Sequence, residues 1–153
     1  MILSFDTFKG RFNYRVAGIA IWENRILLNR LETDSHWFLP GGRVELGEPS
    51  PQALEREIFE EIGAKIQINR LQFLVENFFE YSRKKFHELG FYYTMEVFLP
   101  HEKIEFLGEE NHHKMIYRWF SQEELLNLNF QPNILKDKLF SPEWEEFHII
   151  QRE

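Results

Sequence analysis

Gly42-Arg43-Val44-Glu45-Leu46-Gly47-Glu48-Pro49-Ser50-Pro51-Gln52-Ala53-Leu54-Glu55-Arg56-Glu57-Ile58-Phe59-Glu60-Glu61-Ile62-Gly63 reads as a loop, a helix and a helix stop in succession. Ser50 offers a hydroxyl to cap free amides, Pro51 suits the first helical position and Gly63 suits a left-handed exit, so a helix is predicted from Ser50 to that glycine. Leu54, Ile58 and Ile62, spaced by four, make its core stripe. Glu57, Glu60 and Glu61 stand at i, i+3 and i+4 and share one face, which we place opposite that stripe. Like charges at this spacing repel, and a divalent cation would turn the repulsion into binding. Oxygen ligands in a chain with no cysteine point to a hard ion, Mg2+ or Mn2+. The plain alternative is a solvated acidic face, the usual lot of glutamates on a helix.

The stretch resembles the signature box of the Nudix hydrolase family: Gly42, five residues, Glu48, seven residues, then Arg56-Glu57-Ile58-Phe59-Glu60-Glu61-Ile62-Gly63. One position departs from the pattern. Its closing bulky aliphatic place holds Ala64, with Ile66 two residues on, which predicts a small cavity or a compensating neighbour at the helix exit. With the hairpin before the box, the Pro40-Gly41-Gly42 turn and the Arg118-Trp119 strand, the resemblance extends over residues 12–140 of one expected domain spanning 1–153.

The resemblance implies a MutT-like α/β enzyme, an α/β/α sandwich with a mixed, mainly antiparallel sheet and a catalytic loop-helix-loop. Such enzymes use a divalent cation and water to hydrolyse a diphosphate linkage in a nucleoside diphosphate joined to another group. It further implies that Glu57, Glu60 and Glu61 hold the metal, with the Gly42 carbonyl as an additional ligand. Arg56 can reach Glu60 or Glu48 and is given the orienting role; its plain alternative is a weak surface pair. The resemblance also implies a general base drawn either from a box glutamate or from a carboxylate in a loop beyond the box. In Gly108-Glu109-Glu110-Asn111-His112-His113 we take Glu110, against the alternative of a hydrated acidic loop.

Around this centre, Val16-Ala17-Gly18-Ile19-Ala20-Ile21-Trp22 and Arg25-Ile26-Leu27-Leu28 read as two buried strands of a central hairpin turning at Glu23-Asn24. Residues 71–76, 89–99 and 117–120 are further strand candidates, with Arg83-Lys84-Lys85 in the turn before the second. Ser121-Gln122-Glu123-Glu124 is a capping box that opens a second helix, and Pro132 opens a third reaching about residue 140. The tail, residues 141–153, has no assignment. His87-Glu88 opens the aromatic strand, where alternate side chains face either a cleft or solvent, so a substrate contact and an ordinary strand end both stay open. Adjacent His112-His113 point in different directions and do not make a zinc site.

Eighteen Lys and Arg against 25 Asp and Glu leave a net charge of −7, which disfavours bulk nucleic-acid binding and an mRNA-decapping role. No cysteine means no disulfide and no cysteine nucleophile, which sets aside an isomerase of isopentenyl diphosphate with the same fold. No apolar run is long enough for a membrane span and no leader pattern opens the chain, so a cytoplasmic enzyme acting on a small nucleotide is expected, with a homodimer left open. ADP-ribose-specific members of the family carry a proline about fifteen residues past the box glycine, where this chain has Phe78. Tyr81 falls where dinucleoside polyphosphate hydrolases carry a tyrosine, and the motif for coenzyme A is absent upstream. The expected activity is therefore pyrophosphohydrolysis of a nucleoside triphosphate or modified nucleotide. The alternatives are a dinucleoside polyphosphate hydrolase and a catalytically silent metabolite sensor.

Overall fold

The computed structural model describes residues 1–141 and 146–153. Its elements run β1 (Ser4–Thr7), β2 (Gly10–Ile19), β3 (Ile21–Trp22), β4 (Arg25–Leu31), β5 (Trp37–Phe38), β6 (Gly41–Arg43), α1 (Ser50–Ile62), β7 (Lys65–Tyr81), β8 (Lys84–Phe98), β9 (Glu105–Glu110), β10 (His113–Ser121), α2 (Gln122–Leu126), β11 (Phe130–Gln131) and β12 (His148–Arg152). Two six-stranded sheets result, one ordered β1-β2-β8-β7-β12 with β6 also on β2, the other β11-β5-β4-β10-β9 with β3 also on β4. Pairs β2–β8, β7–β12 and β5–β11 are parallel and the remaining pairs antiparallel, the mixed α/β arrangement expected.

One apolar core lies between the sheets and includes Ala17, Ile19, Leu28, Phe73, Tyr92 and Leu135; a second packs α1 through Ala53, Leu54 and Ile58 against Val16, Val44 and Tyr117. Full burial of Leu54 and Ile58 contributes about 2 kcal/mol each. Alternation along β2 sends Val16 to one core and Ala17 to the other. Ala64 is buried in this second core, against which Ile62 and Ile66 also pack.

The run 16–22 is not one arm of a central hairpin. It breaks at Ala20: β2 leaves to pair with β8, and only Ile21 and Trp22, 45% and 39% exposed, pair with β4. An apolar run carries no mark of where its strand changes sheets, so pattern alone merged the two. The helix start also differs from expectation. Pro49 is the N-cap residue, and the Ser50 hydroxyl bonds Tyr93 Oη at 2.7 Å instead of a backbone amide. Gly63 ends α1 as expected, at φ 67°, its amide donating to the Phe59 carbonyl. The Ser121 capping box forms in both directions, but α2 is only five residues long. Past Pro132 there is a 3-10 turn, Asn133–Leu135, and not a third helix, because the amides of Leu135, Lys136 and Lys138 each bond three residues back. In the tail, β12 pairs with β7 and buries Ile149; residues 142–145 of that tail lie outside the described residues. No helix among the described residues is long and apolar enough to cross a membrane.

Three hairpins turn on pairs of residues with positive φ, Glu23-Asn24, Ser82-Arg83 and Asn111-His112. This geometry matches the strands' right-handed twist and favours Gly or Asn. Lys84 and Lys85 therefore belong to β8, not to the turn. Arg83→Gly is expected to raise stability by about 0.5 kcal/mol, the relief of a left-handed side chain less the added freedom of the unfolded chain; a thermal melt that fell instead would show that Arg83 makes a stabilising contact outweighing its strain.

Candidate active site

Helical arithmetic separates the box glutamates. At about 100° per residue, Glu61 lies about 60° around the helix from Ile58, and Glu60 about 160°. They therefore do not share a face opposite the core stripe: Glu61 is 5% exposed, while the side chains of Glu57 and Glu60 are 13% and 58% exposed. Glu110 reaches them from β9, a strand where the sequence suggested a loop; its neighbour Glu109 points outward, 3.7 Å from the fully exposed His112. One carboxylate oxygen each from Glu57, Glu61 and Glu110 lies within 4.8 Å of the others. Glu60 stays outside this triplet, 3.3 Å from Arg56, at the rim of the same cavity of about 570 Å³.

Glu61 Oε1 accepts from Tyr117 Oη at 2.6 Å and from Asn29 Nδ2 at 3.5 Å, while Oε2 is buried without a hydrogen-bond partner. Burial pushes the Glu61 carboxyl up to about 8, against the pull of the Tyr117 bond and with help from Glu110 and Glu57. Burial also raises Glu57, although Arg56 opposes it. Tyr117 is raised far above the usual phenol range by its burial and by Glu61.

Arg56 binds Glu48 with both arms of its fork, Nε to Oε2 at 2.8 Å and Nη2 to Oε1 at 3.0 Å, so it meets both carboxylates named for it in the sequence. Its Nη1 also donates to Glu57 Oε1 at 2.9 Å, and Nη2 to the Arg43 carbonyl at 3.2 Å. The pairing raises Arg56 and lowers Glu48. Gly42, paired with Val16, lies so close to α1 that a Cβ there would land on the Glu57 carboxyl group. Gly42→Ala is expected to displace Glu57 and weaken Mg2+ binding by about tenfold or more, the scale set by disturbing a ligand's support; calorimetric titration that gave unchanged affinity would sink this account.

Arg15 and Arg43, cross-strand partners on β2 and β6, line the same cavity and were not singled out in the sequence. Burial works against the Arg15 charge, but Glu88, Tyr92, Glu61 and Glu110 hold it above its ordinary value; burial and the neighbouring Arg11 and Arg15 lower Arg43. The position of Arg43, directly after the Gly pair, was a usable signal; that of Arg15 emerges only with the strand register. The residues fit a small hard cation: three converging carboxylates, one buried oxygen without a donor, and a glycine whose missing side chain makes room for Glu57.

The NUDIX domain family model matches residues 13–140. A MutT-like protein of Streptomyces ambofaciens is 35% identical over 63 residues, 40% of this chain and 41% of that one. The 8-oxo-dGTP diphosphatase of Buchnera aphidicola subsp. Schizaphis graminum is 28% identical over 123 residues, 77% of this chain and 85% of that one. The chain spans about two-fifths of the length of the first curated relatives it matches. Among solved structures, the MutT NUDIX hydrolase from Burkholderia pseudomallei shares the fold, with a TM-score of 0.68 at 21% identity over 85% of this chain and 98% of that one.

Proposed function

The chain belongs to the NUDIX family, and from that premise we propose that it is a Mg2+- or Mn2+-dependent pyrophosphohydrolase whose substrate is a nucleoside triphosphate or a modified nucleotide. The observation that carries this reading is the convergence of Glu57, Glu61 and Glu110 within 4.8 Å, in a cavity whose other wall presents Arg15 and Arg43. The similarity to a protein named as an 8-oxo-dGTP diphosphatase supports the substrate class.

Glu57, Glu61 and the Gly42 carbonyl would hold the cation, with Glu60, at the rim of the cavity on Arg56, joining them only if its side chain turns inward. When bound, the cation neutralises polyphosphate charge and lowers the pKa of a water for attack on phosphorus. The chain's own residues set the stage for that attack. Tyr117 fixes the Glu61 carboxylate through Oε1 and leaves Oε2 free for a ligand, while Arg56 fixes Glu57 from the solvent side. Arg15 and Arg43 give phosphate oxygens a positive wall, which a protein of net charge −7 otherwise lacks. Glu110, whose carboxylate lies within 4.8 Å of those of Glu57 and Glu61, would join the ligand set or take a proton from the attacking water.

The test is release of phosphate or pyrophosphate from nucleoside triphosphates, oxidised nucleotides, dinucleoside polyphosphates, ADP-ribose and nucleotide sugars, with Mg2+, Mn2+ or chelator. Metal-dependent turnover on one class is expected. Silence across the panel while the metal binds would replace the hydrolase with a metabolite sensor. In the same assay, a modest loss for Glu110→Gln would return the base role to the box.

A further inference from the structure

Glu88 is half-buried on β8, and strand register places it in a polar row that crosses the first sheet. Ser4 faces Asn13, Asn13 faces Glu88, and Glu88 faces Asn77. Direct cross-strand partners share a face, and Arg15, two residues from Asn13, shares it too. The row therefore lies on the face that carries Arg15 into the cavity, about 7 Å further along the strands at the usual rise per residue. His87, by contrast, points to the opposite face, where it packs between Phe12 and Phe78.

The row is held from behind. Arg11 Nε donates to Ser4 Oγ at 3.0 Å, Ser4 Oγ donates to Asn13 Oδ1 at 2.5 Å, and Asn13 Nδ2 reaches Glu88 Oε2 at 3.5 Å. Asn13 is thus engaged on both sides of its amide, and the Glu88 carboxylate, reached by this one long bond, also feels the charges of Arg15 and Arg43. Next to it, Asn77 is 7% exposed and its Oδ1 is buried without a partner. The unpartnered Asn77 Oδ1 and the neighbouring Glu88 carboxylate, which takes a single long hydrogen bond from Asn13, form a complement to a ligand group that offers two adjacent donors.

We propose that Glu88 and Asn77 form a specificity subsite that reads paired N–H or O–H donors on the nucleoside part of the substrate, with Glu88 as its main determinant. The inference rests on the hydrolase reading above, since the phosphates must lie between Arg15 and the carboxylate triplet for the nucleoside to reach this row. Two parts of a nucleotide present such donors, the N1–H and N2–H edge of guanine and the cis-diol of ribose.

The test is steady-state kinetics of the wild-type protein and E88Q on GTP, ITP and dGTP with Mg2+. ITP lacks the 2-amino donor and dGTP lacks the diol. The wild type is expected to favour GTP over one of the two at least tenfold in kcat/KM. E88Q, of the same size but with a donor in place of an acceptor, is expected to shrink that preference to within about twofold, mainly by raising KM for GTP. N13A, which removes the brace and keeps the carboxylate, is expected to weaken the same preference in part, and decides the matter if E88Q does not fold. A wild type indifferent to both donors would overturn the subsite and leave the hydrolase standing. So would an E88Q that raises KM equally for all three nucleotides, which would make Glu88 only the counter-ion of Arg15. A wild type that turns over no nucleotide in the presence of metal would instead remove the hydrolase reading, and the subsite with it.

Discussion

Glu61→Gln is expected to lower kcat on the order of a thousandfold at saturating Mg2+, corresponding to several kcal/mol of transition-state charge stabilisation that depends on the cation this carboxylate would help to hold. The same substitution is expected to stabilise the metal-free protein at alkaline pH. In the folded chain the Glu61 carboxyl titrates near 8, against an ordinary value of 4.5. Between these values the native state keeps a proton that the unfolded chain has released, so stability falls as pH rises from about 5 and levels off above about 8. The full swing is on the order of a few kcal/mol. Gln keeps the Tyr117 hydrogen bond and cannot ionise, so the difference in melting temperature between E61Q and wild type, both in chelator, should grow from pH 5 to pH 9. A difference independent of pH would mean that Glu61 ionises in the apo protein without penalty, and near-normal turnover of the variant would remove it from the ligand set.

What makes this residue unusual on a helix is also what a sequence shows least directly. The box spacing marks Glu57, Glu60 and Glu61 alike, because position along a helix is local. Their separation into a buried, a half-buried and an exposed carboxylate depends on where α1 meets β9 and β10. Short-range features such as the left-handed stop at Gly63 and the reciprocal Ser121–Glu124 cap are legible because their partners lie within four residues. The β2–β8 pairing joins residues far apart in the chain, and nothing in an apolar run specifies its register. Arg15, Asn13 and Glu88 acquire their positions through that register, so the place of Arg15 in the positive wall and the assembly of the polar row are not legible in the sequence, although Arg43 follows the Gly pair and Glu88 stands there as an open substrate contact. Glu110 was named although its strand was missed, since the resemblance to the family implies a carboxylate beyond the box as one source of the base. β12 escaped because five residues with one buried side chain, Ile149, carry too short a pattern to stand out.

Arg56→Lys should be the second most damaging change, although it keeps the charge. One guanidinium makes five hydrogen bonds here, two to Glu48 and one each to Glu57, Glu60 and the Arg43 carbonyl. An ammonium has three donors from a single atom and cannot span these acceptors together. The bond to the exposed Glu60 resembles a surface i,i+4 pair, worth a few tenths of a kcal/mol and screened by salt. The fork on Glu48 is different: Glu48 is mostly covered, its other bond comes from the Glu45 amide, and Arg56 holds its carboxyl below the usual range. Lys at this position would leave Glu57 free to turn from the triplet, and the expected loss of Mg2+ affinity is about 10- to 100-fold, the range seen when the support of a metal ligand is removed. Calorimetric titration at low and high salt separates the two accounts. A deficit in R56K that persists at 1 M salt, on the order of a 3 Å screening length, identifies lost geometry, whereas an R56K that binds Mg2+ like wild type would reduce Arg56 to a point charge beside the helix.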